Sequence, residues 1–372
     1  MKNVLIIHCN PQNLVSILNL KSMNLTSKSK THKILVIQFK YLGDAVFITP
    51  ALTALHQAYP ASEIQLLVAD EVAPIFNHLP FIKKVWAFPR TRGKAKLSKS
   101  LPFIYKLRKE KFDLSIDFAG NDRGSILSLF SGAKIRLSSI EHNPTFLQKL
   151  AYTKTIRTSL LPISWVKRHL KLLALLLKIP ETTNPKMWIE ADPLLEAEAL
   201  QTLKKYEIIC HLGTSQPKKE WPIDHWIQLY RLANNAGYKL AFSSGINARE
   251  QNLIAELKKL APEAYALPPT NNLSMYLAVL NQARLVISGD TGPLHFSAGL
   301  GVKVIGLFGT TDSVMFAAPV YHENESILSV PCSCIGARSQ FVTCQSATAC
   351  MSTISAEQVF ELLKERYPLN VL

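Results

Sequence analysis

Three short stretches hold the residues able to do chemistry. "LGDAVFITPAL" sets one carboxylate, Asp44, directly after Gly43, where the strand-like run Ile34 to Gln38 gives way to a helix-like one. "HLGTSQPKKEWP" brings Thr214, Ser215, Lys218 and Lys219 behind a second strand-like run. "SGDTGPLHFSAGLG" places Asp290, Thr291 and Gly292 at a strand end, with His295 one turn into the following helix. A carboxylate on a βα turn can take a proton from a hydroxyl. The free N–H groups and positive dipole end of a glycine-opened helix suit a diphosphate. Hydroxyls and ammonium groups suit phosphate oxygens and can stabilise a departing diphosphate. Each stretch also has a plainer reading, with Asp44 and Asp290 as helix caps and the lysines as a solvated loop. A dinucleotide-binding turn would need a run of glycines, and the Asp44 turn has one glycine followed by an acid.

The elements that must position these residues alternate. From residue 33, "KILVIQF", "EIQLLVA", "KKVWAFP" and "DLSIDFAG" read as strands, and "FITPALTALHQAY" and "KSLPFIYKLRKEK" as helices. The helix-like "VKRHLKLLALLLKI" stops at Pro180, and the polar, proline-bearing "PETTNPK" reads as a linker. Alternation then resumes with "YEIICHLG", "YKLAFSSG", "ARLVISGD" and "KVIGLFG" as strands. Such βαβ order implies parallel sheets with right-handed crossovers, and ligands bound outside the carboxyl ends of the strands. The expected boundaries are an N-terminal extension over 1–32, an α/β half over 33–180, a second over 187–352 and a terminal helix over 353–372 packed back on the first half. That helix is amphipathic and opens with a Ser able to cap it in "SAEQVFELLKERYP".

Composition narrows the partners. The 372 residues are 48% hydrophobic, enough for more than one core, and the formal charge of +15 favours anionic partners. No window is long and apolar enough to span a bilayer, and the N-terminal run lacks a signal-peptide cleavage pattern, so a cytoplasmic location is expected. Six cysteines do not make a disulfide scaffold in a chain of this length.

Taken together, "LGDAVFITPAL", "GTSQPKKEWP", "SGDTGPLHFSAGLGVKVIGLFGTTD" and the cysteine-bearing tail resemble glycosyltransferase family 9, the bacterial lipopolysaccharide heptosyltransferases. The resemblance runs from about Lys33 to the C-terminal helix, with the motifs in the family's order. It implies an α/β GT-B fold: two Rossmann-like domains facing across a central cleft, acceptor on the first and nucleotide-sugar on the second. It implies inverting, metal-independent transfer with no cofactor beyond the nucleotide-sugar donor, most naturally ADP-heptose. Asp44 would then be the general base, and Lys219, helped by Thr214 and Ser215, would stabilise the leaving diphosphate. Asp290, Thr291, Gly292 and His295 would form the phosphate and sugar site. Glu250, a few residues after Gly245 in "SSGINAREQ", would hold ribose hydroxyls, or else be an exposed acid at a helix start. Gly43 and Arg123 would face the acceptor, a lipopolysaccharide core or other lipid-linked glycan.

The basic stretch "RTRGKAKLSKSLPFIYKLRKEK" is either a solvated face or part of acceptor binding, and "VKRHLKLLALLLKI" either core or a peripheral contact with the inner membrane. Cys332, Cys334, Cys344 and Cys350 lack the paired spacing of a zinc ribbon and read as a structural loop, with metal the other option. Competing functions are a GT-B scaffold without turnover that binds anionic glycan or lipid, and a nucleic-acid binder suggested by charge alone. The chain lacks aromatic-interleaved basic strands and a groove-reading helix, so nucleic acid is not expected. A nucleotide-linked oxidoreductase is disfavoured, because no Gly-x-Gly-x-x-Gly follows any strand.

Overall fold

The computed structural model describes residues 15–16, 32–40, 42–89, 97–141, 143–157, 163–182, 185–317, 325–330 and 350–369. The run Lys33–Gln38 is buried at every position after its first, as a parallel strand covered on both faces must be. It forms the centre of a seven-stranded sheet made of β1 (Val15–Ser16), β2 (Lys33–Gln38), β3 (Glu63–Ala69), β4 (Ile82–Phe88), β5 (Leu114–Asp117), β6 (Ile135–Ile140) and β7 (Lys154–Arg157). The order is β1-β7-β6-β5-β2-β3-β4, parallel throughout except for β1, which pairs antiparallel with β7. Part of the expected N-terminal extension is therefore a sheet edge.

The second sheet is parallel throughout and has six strands: β8 (Ile208–His211), β9 (Leu240–Ser243), β10 (Tyr265–Ala266), β11 (Leu285–Gly289), β12 (Lys303–Phe308) and β13 (Glu325–Ser329). Its order, β10-β9-β8-β11-β12-β13, is the doubly wound 3-2-1-4-5-6 arrangement. The first sheet repeats that order from β4 to β7. In both, the strand order reverses between the first and fourth strands, β2 with β5 and β8 with β11, and a crevice opens there at the carboxyl ends.

Five helices accompany the first sheet: α1 (Thr49–Ala58), α2 (Leu97–Lys109), α3 (Asp122–Phe130), α4 (Phe146–Ala151) and α5 (Trp165–Leu177). The second half carries α6 (Glu196–Leu203), α7 (Ile223–Asn235), α8 (Ala248–Leu260), α9 (Leu273–Gln282), α10 (Gly292–Gly299), α11 (Ser313–Phe316) and α12 (Ala356–Arg366). The helix expected over "FITPALTALHQAY" opens as a 3-10 segment, Gly43–Ile48, and becomes α-helical only where Pro50 can occupy its first turn. The apolar helix α5 buries Val166, Leu170, Leu172 and Leu173, so its leucines serve the core.

One expectation is corrected. The C-terminal helix α12 does not return to the first half; it lies against α7 and β12 of the second. Val359 and Leu363 enter the second-half core, and Ile354, just ahead of the helix, accepts a hydrogen bond from the buried Trp221 indole at 2.8 Å. The amphipathic stripe needed an apolar partner, and the second half supplied one.

The halves meet along α10, whose Gly292, His295, Phe296 and Gly299 follow helical spacing. A Cβ on Gly299 would come within 2.9 Å of Val46 in the 3-10 segment, so the small residue sets how close the two halves sit. The chain between them is tied to both: the Trp188 amide donates to Thr49 Oγ1 at 3.1 Å, and the Ile189 amide donates to the Gly299 carbonyl at 2.9 Å.

Candidate active site

A cleft of about 1460 Å³ opens between the carboxyl ends of the two sheets. Asp44 and Gly43 line it from the first half. Thr214, Ser215, Lys219, Glu250, Asp290, Thr291, Gly292 and His295 line it from the second. Arg123 is not among the lining residues; its guanidinium carbon lies 5.8 Å from the Phe39 ring centroid, and its neighbour Asn121 reaches the cleft instead.

Gly43 has no positive φ, so its glycine is not required by the turn. A Cβ there would lie 2.9 Å from His295 Cδ2 and 3.1 Å from the Gly292 Cα, closer than packed atoms sit. The two glycines let the functional turns of the two halves touch. Asp44 follows at once, in the first turn of the 3-10 segment, and has its carboxyl pushed up by burial, with Lys40 the largest opposing influence and Asp290 adding to the rise. A carboxylate raised in this way is a better proton acceptor when ionised.

Lys219 is placed by its neighbours. A 3-10 turn, Pro217–Lys219, is followed by Trp221, a fully buried anchor packed edge-on against Trp226, and Pro222 caps α7. The Lys219 ammonium contacts Asp290 Oδ2 at 2.6 Å, while Asp290 Oδ1 lies 3.3 Å from His295 Nε2. Burial alone would raise the Asp290 carboxyl; the His295 hydrogen bond and the Lys219 charge outweigh it and hold it at about 2. Asp290 is thus a fixed anion that aims Lys219 at the mouth of α10, and it caps no helix. Thr291, the N-cap of α10, makes no side-chain cap, so its hydroxyl is not spent on the helix end. His295 lies beneath, its ring 4.7 Å from that of Phe47, and belongs to the seam between the halves.

Thr214 is buried and donates its hydroxyl to the Gln216 carbonyl at 2.7 Å, shaping the loop, whereas Ser215 is exposed at the cleft. Glu250 is buried too, not an exposed helix-start acid. Its carboxylate accepts from the Gly245 amide at 2.8 Å and from the Asn247 side chain at 2.6 Å. Cβ atoms on Gly213 or Gly245 would fall 2.0 and 2.4 Å from Glu250 Oε2, so two glycines clear the space this acid occupies.

Sequence reasoning missed two groups. Lys40, four residues before Asp44, contacts Glu141 at 3.2 Å and lies 3.4 Å from the Trp165 ring centroid. Its partners come from β6 and α5, and no local pattern announces them. Buried His211 and Ser243 and half-buried Tyr276 also line the cleft, with hydrogen bonds of 2.9, 3.0 and 3.1 Å closing a triangle. Burial holds the His211 imidazole down at about 3 and so neutral. A polar residue ending the apolar run "IICH" was its only signal. Behind the first-half edge, Asp117 accepts from the Ala119 amide at 2.8 Å and the Tyr152 hydroxyl at 2.5 Å, with its carboxyl pushed up to about 6 by burial. Of the four tail cysteines, Cys332, Cys334 and Cys344 lie outside the described residues and Cys350 is buried.

Two doubly wound domains with a polar cleft between their carboxyl edges define a GT-B protein, and solved structures of that class superpose on most of the chain. The glycosyl transferase family 9 structure from Veillonella parvula matches with a TM-score of 0.79 at 21% identity, covering 90% of this chain and 97% of that one. Escherichia coli heptosyltransferase WaaC with ADP matches with a TM-score of 0.70 at 20% identity, covering 90% and 99%. The model of glycosyltransferase family 9 (heptosyltransferase) matches residues 101–344, and the chain belongs to that family; it is a glycosyltransferase. It is similar to lipopolysaccharide heptosyltransferase 3 of Escherichia coli, 23% identical over 290 residues, covering 74% of this chain and 83% of that protein. It is 26% identical over 292 residues to lipopolysaccharide heptosyltransferase 1 of Pseudomonas aeruginosa, covering 75% and 79%.

Proposed function

We propose that this glycosyltransferase moves a heptose from ADP-heptose onto lipopolysaccharide core or a related lipid-linked surface glycan, at the cytoplasmic face of the inner membrane. The sugar and acceptor follow the relatives, whose names specify heptose transfer to lipopolysaccharide or lipooligosaccharide, and the nucleotide follows the Escherichia coli heptosyltransferase WaaC, whose structure holds ADP. Transfer is direct, with inversion and without a metal ion. Asp44 takes the proton of the acceptor hydroxyl as its oxygen attacks the anomeric carbon, and the bond from that carbon to the diphosphate oxygen breaks. Lys219 and the open N-terminus of α10 meet the charge that grows on the leaving diphosphate, a fixed positive field that needs no reorganisation during the step. Glu250 holds the nucleotide's ribose.

The carrying observation is that one carboxylate from the first half and an aimed ammonium with an open helix end from the second line a single cleft, brought together by the contact of Gly43 with Gly292. The test is turnover of purified protein with ADP-heptose and other nucleotide sugars against truncated lipopolysaccharide acceptors, with and without EDTA. Heptose transfer that survives EDTA and yields the inverted anomer is expected. Turnover lost to EDTA and restored by a divalent ion would overturn the metal-free step. Nucleotide binding with no transfer from any donor would favour a scaffold that only binds.

A further inference from the structure

Large apolar side chains left in water are informative when they cluster. Twelve stand out among the described residues, and six of them lie on three helices that pack side by side in the first half, with α3 touching both α2 and α4. Each helix presents one pair at i, i+4 spacing: Leu101 with Tyr105 on α2, Ile126 with Phe130 on α3, and Phe146 with Leu150 on α4. That spacing puts both members of a pair on one face of the helix. Here the face is exposed, with Phe146 84% and Tyr105 61% accessible.

The charge around these pairs is mostly positive. Lys106, Arg108 and Lys109 fill the last turn of α2, and Lys149 lies between Phe146 and Leu150 on α4. Neither helix contains an acid; on α3 one acid, the exposed Asp122, lies one turn before Ile126 on the same face, against four cations on α2 and α4. The Lys109 ammonium lies over the Tyr105 ring, 4.5 Å from its centroid, so a cation and an aromatic face share one spot on the surface. Apolar side chains within a basic field suit the headgroup region of an anionic bilayer. A second copy of the chain is a poor occupant, since a two-fold contact through this face would set its lysines against one another.

We propose that the exposed face of α2, α3 and α4 docks on an anionic lipid surface and holds the acceptor side of the cleft against it. The face and the cleft are rigidly joined: Asn121 caps α3 while lining the cleft, and Gln148 of α4 donates to the Gly120 carbonyl at 2.8 Å, just ahead of that cap. The purpose of this docking rests on the lipid-anchored acceptor proposed above, because an enzyme held there meets such an acceptor in two dimensions. The apolar helix α5, which sequence alone made the membrane candidate, has its leucines in the core and takes no part.

The test is co-sedimentation with vesicles of phosphatidylethanolamine and phosphatidylglycerol, against vesicles of phosphatidylcholine alone. Two double variants are compared with the wild type: Phe146→Ser with Leu150→Ser, and Lys106→Glu with Lys109→Glu. All four positions are exposed, and unchanged ADP affinity and far-ultraviolet circular dichroism show that each variant is folded. The wild type is expected to pellet with the anionic vesicles and to be released by salt. The serine variant should partition at least about tenfold less, and the charge reversal should abolish binding, while transfer to a soluble, delipidated acceptor stays unchanged. A wild type that stays in the supernatant at low salt, or variants that pellet as it does, would overturn the proposal. So would a dimer in solution that either variant dissolves, which would make the face a self-contact. Vesicle binding is read without turnover, so its failure and a failure of heptose transfer are separate results.

Discussion

Two βα turns meet at the floor of the cleft, and they differ in what they offer. The turn after β2 carries a carboxylate behind a glycine, with burial raising its proton affinity. The turn after β11 carries a carboxylate too, but that one is held at about 2 by His295 and Lys219 and is never a proton acceptor near neutral pH. Two aspartates on βα turns that meet across the cleft thus have opposite chemistry. The partner decides: Asp44 has Lys40 near it without a hydrogen bond, whereas Asp290 has an ammonium at 2.6 Å. One half accepts a proton and the other holds an anion, and neither turn could do both.

This division can be broken in order of expected effect. Asp44→Asn keeps the shape of the turn and removes the base, and kcat should fall by about 10²–10⁴ in a steady-state transfer assay. Lys219→Ala removes the cation facing the diphosphate, for a loss in kcat of about 10²–10³. It also leaves Asp290 with His295 alone as its partner, an anion beside the donor phosphates without its ammonium, so Asp290→Asn in the same background should recover part of the lost donor affinity. Gly43→Ala pushes a methyl into Gly292 and His295; it should lower kcat by roughly ten- to a hundredfold through misplacement of Asp44, with ADP binding little changed by calorimetry. Lys40→Met sharpens the comparison without removing either carboxylate. The Lys40 charge favours ionised Asp44, so its loss raises the Asp44 pKa, and the acid limb of the pH profile of kcat/KM should move to higher pH.

Much of this was legible in the sequence because the chemistry sits on local patterns. The strands β2, β3, β8, β11 and β12 are apolar runs ended by turn residues, and Asp44, Lys219 and Asp290 stand on the turns that follow such runs. The short, partly polar strands β6 and β7 gave no such signal; they hold their place by pairing, with Arg136 and Thr153 bonding across the edge. Lys40 was missed because its meaning comes from Glu141 and Trp165, more than a hundred residues away in sequence. In the sequence Gly43 is only the one glycine of the Asp44 turn, and the structure gives the reason for it: the space it leaves is filled by the opposite half. The destination of α12 followed the same rule, since an amphipathic face states that it needs a partner and not which one.

The division of labour is tested most directly by ADP affinity measured calorimetrically on Asp44→Asn and Glu250→Ala beside the wild type. The account predicts that Asp44→Asn binds ADP within about twofold of wild type, while Glu250→Ala loses roughly tenfold or more, the value of one or two hydrogen bonds to a charged group. Equal losses in the two variants, or a loss confined to Asp44→Asn, would contradict it and place the nucleotide against the first half.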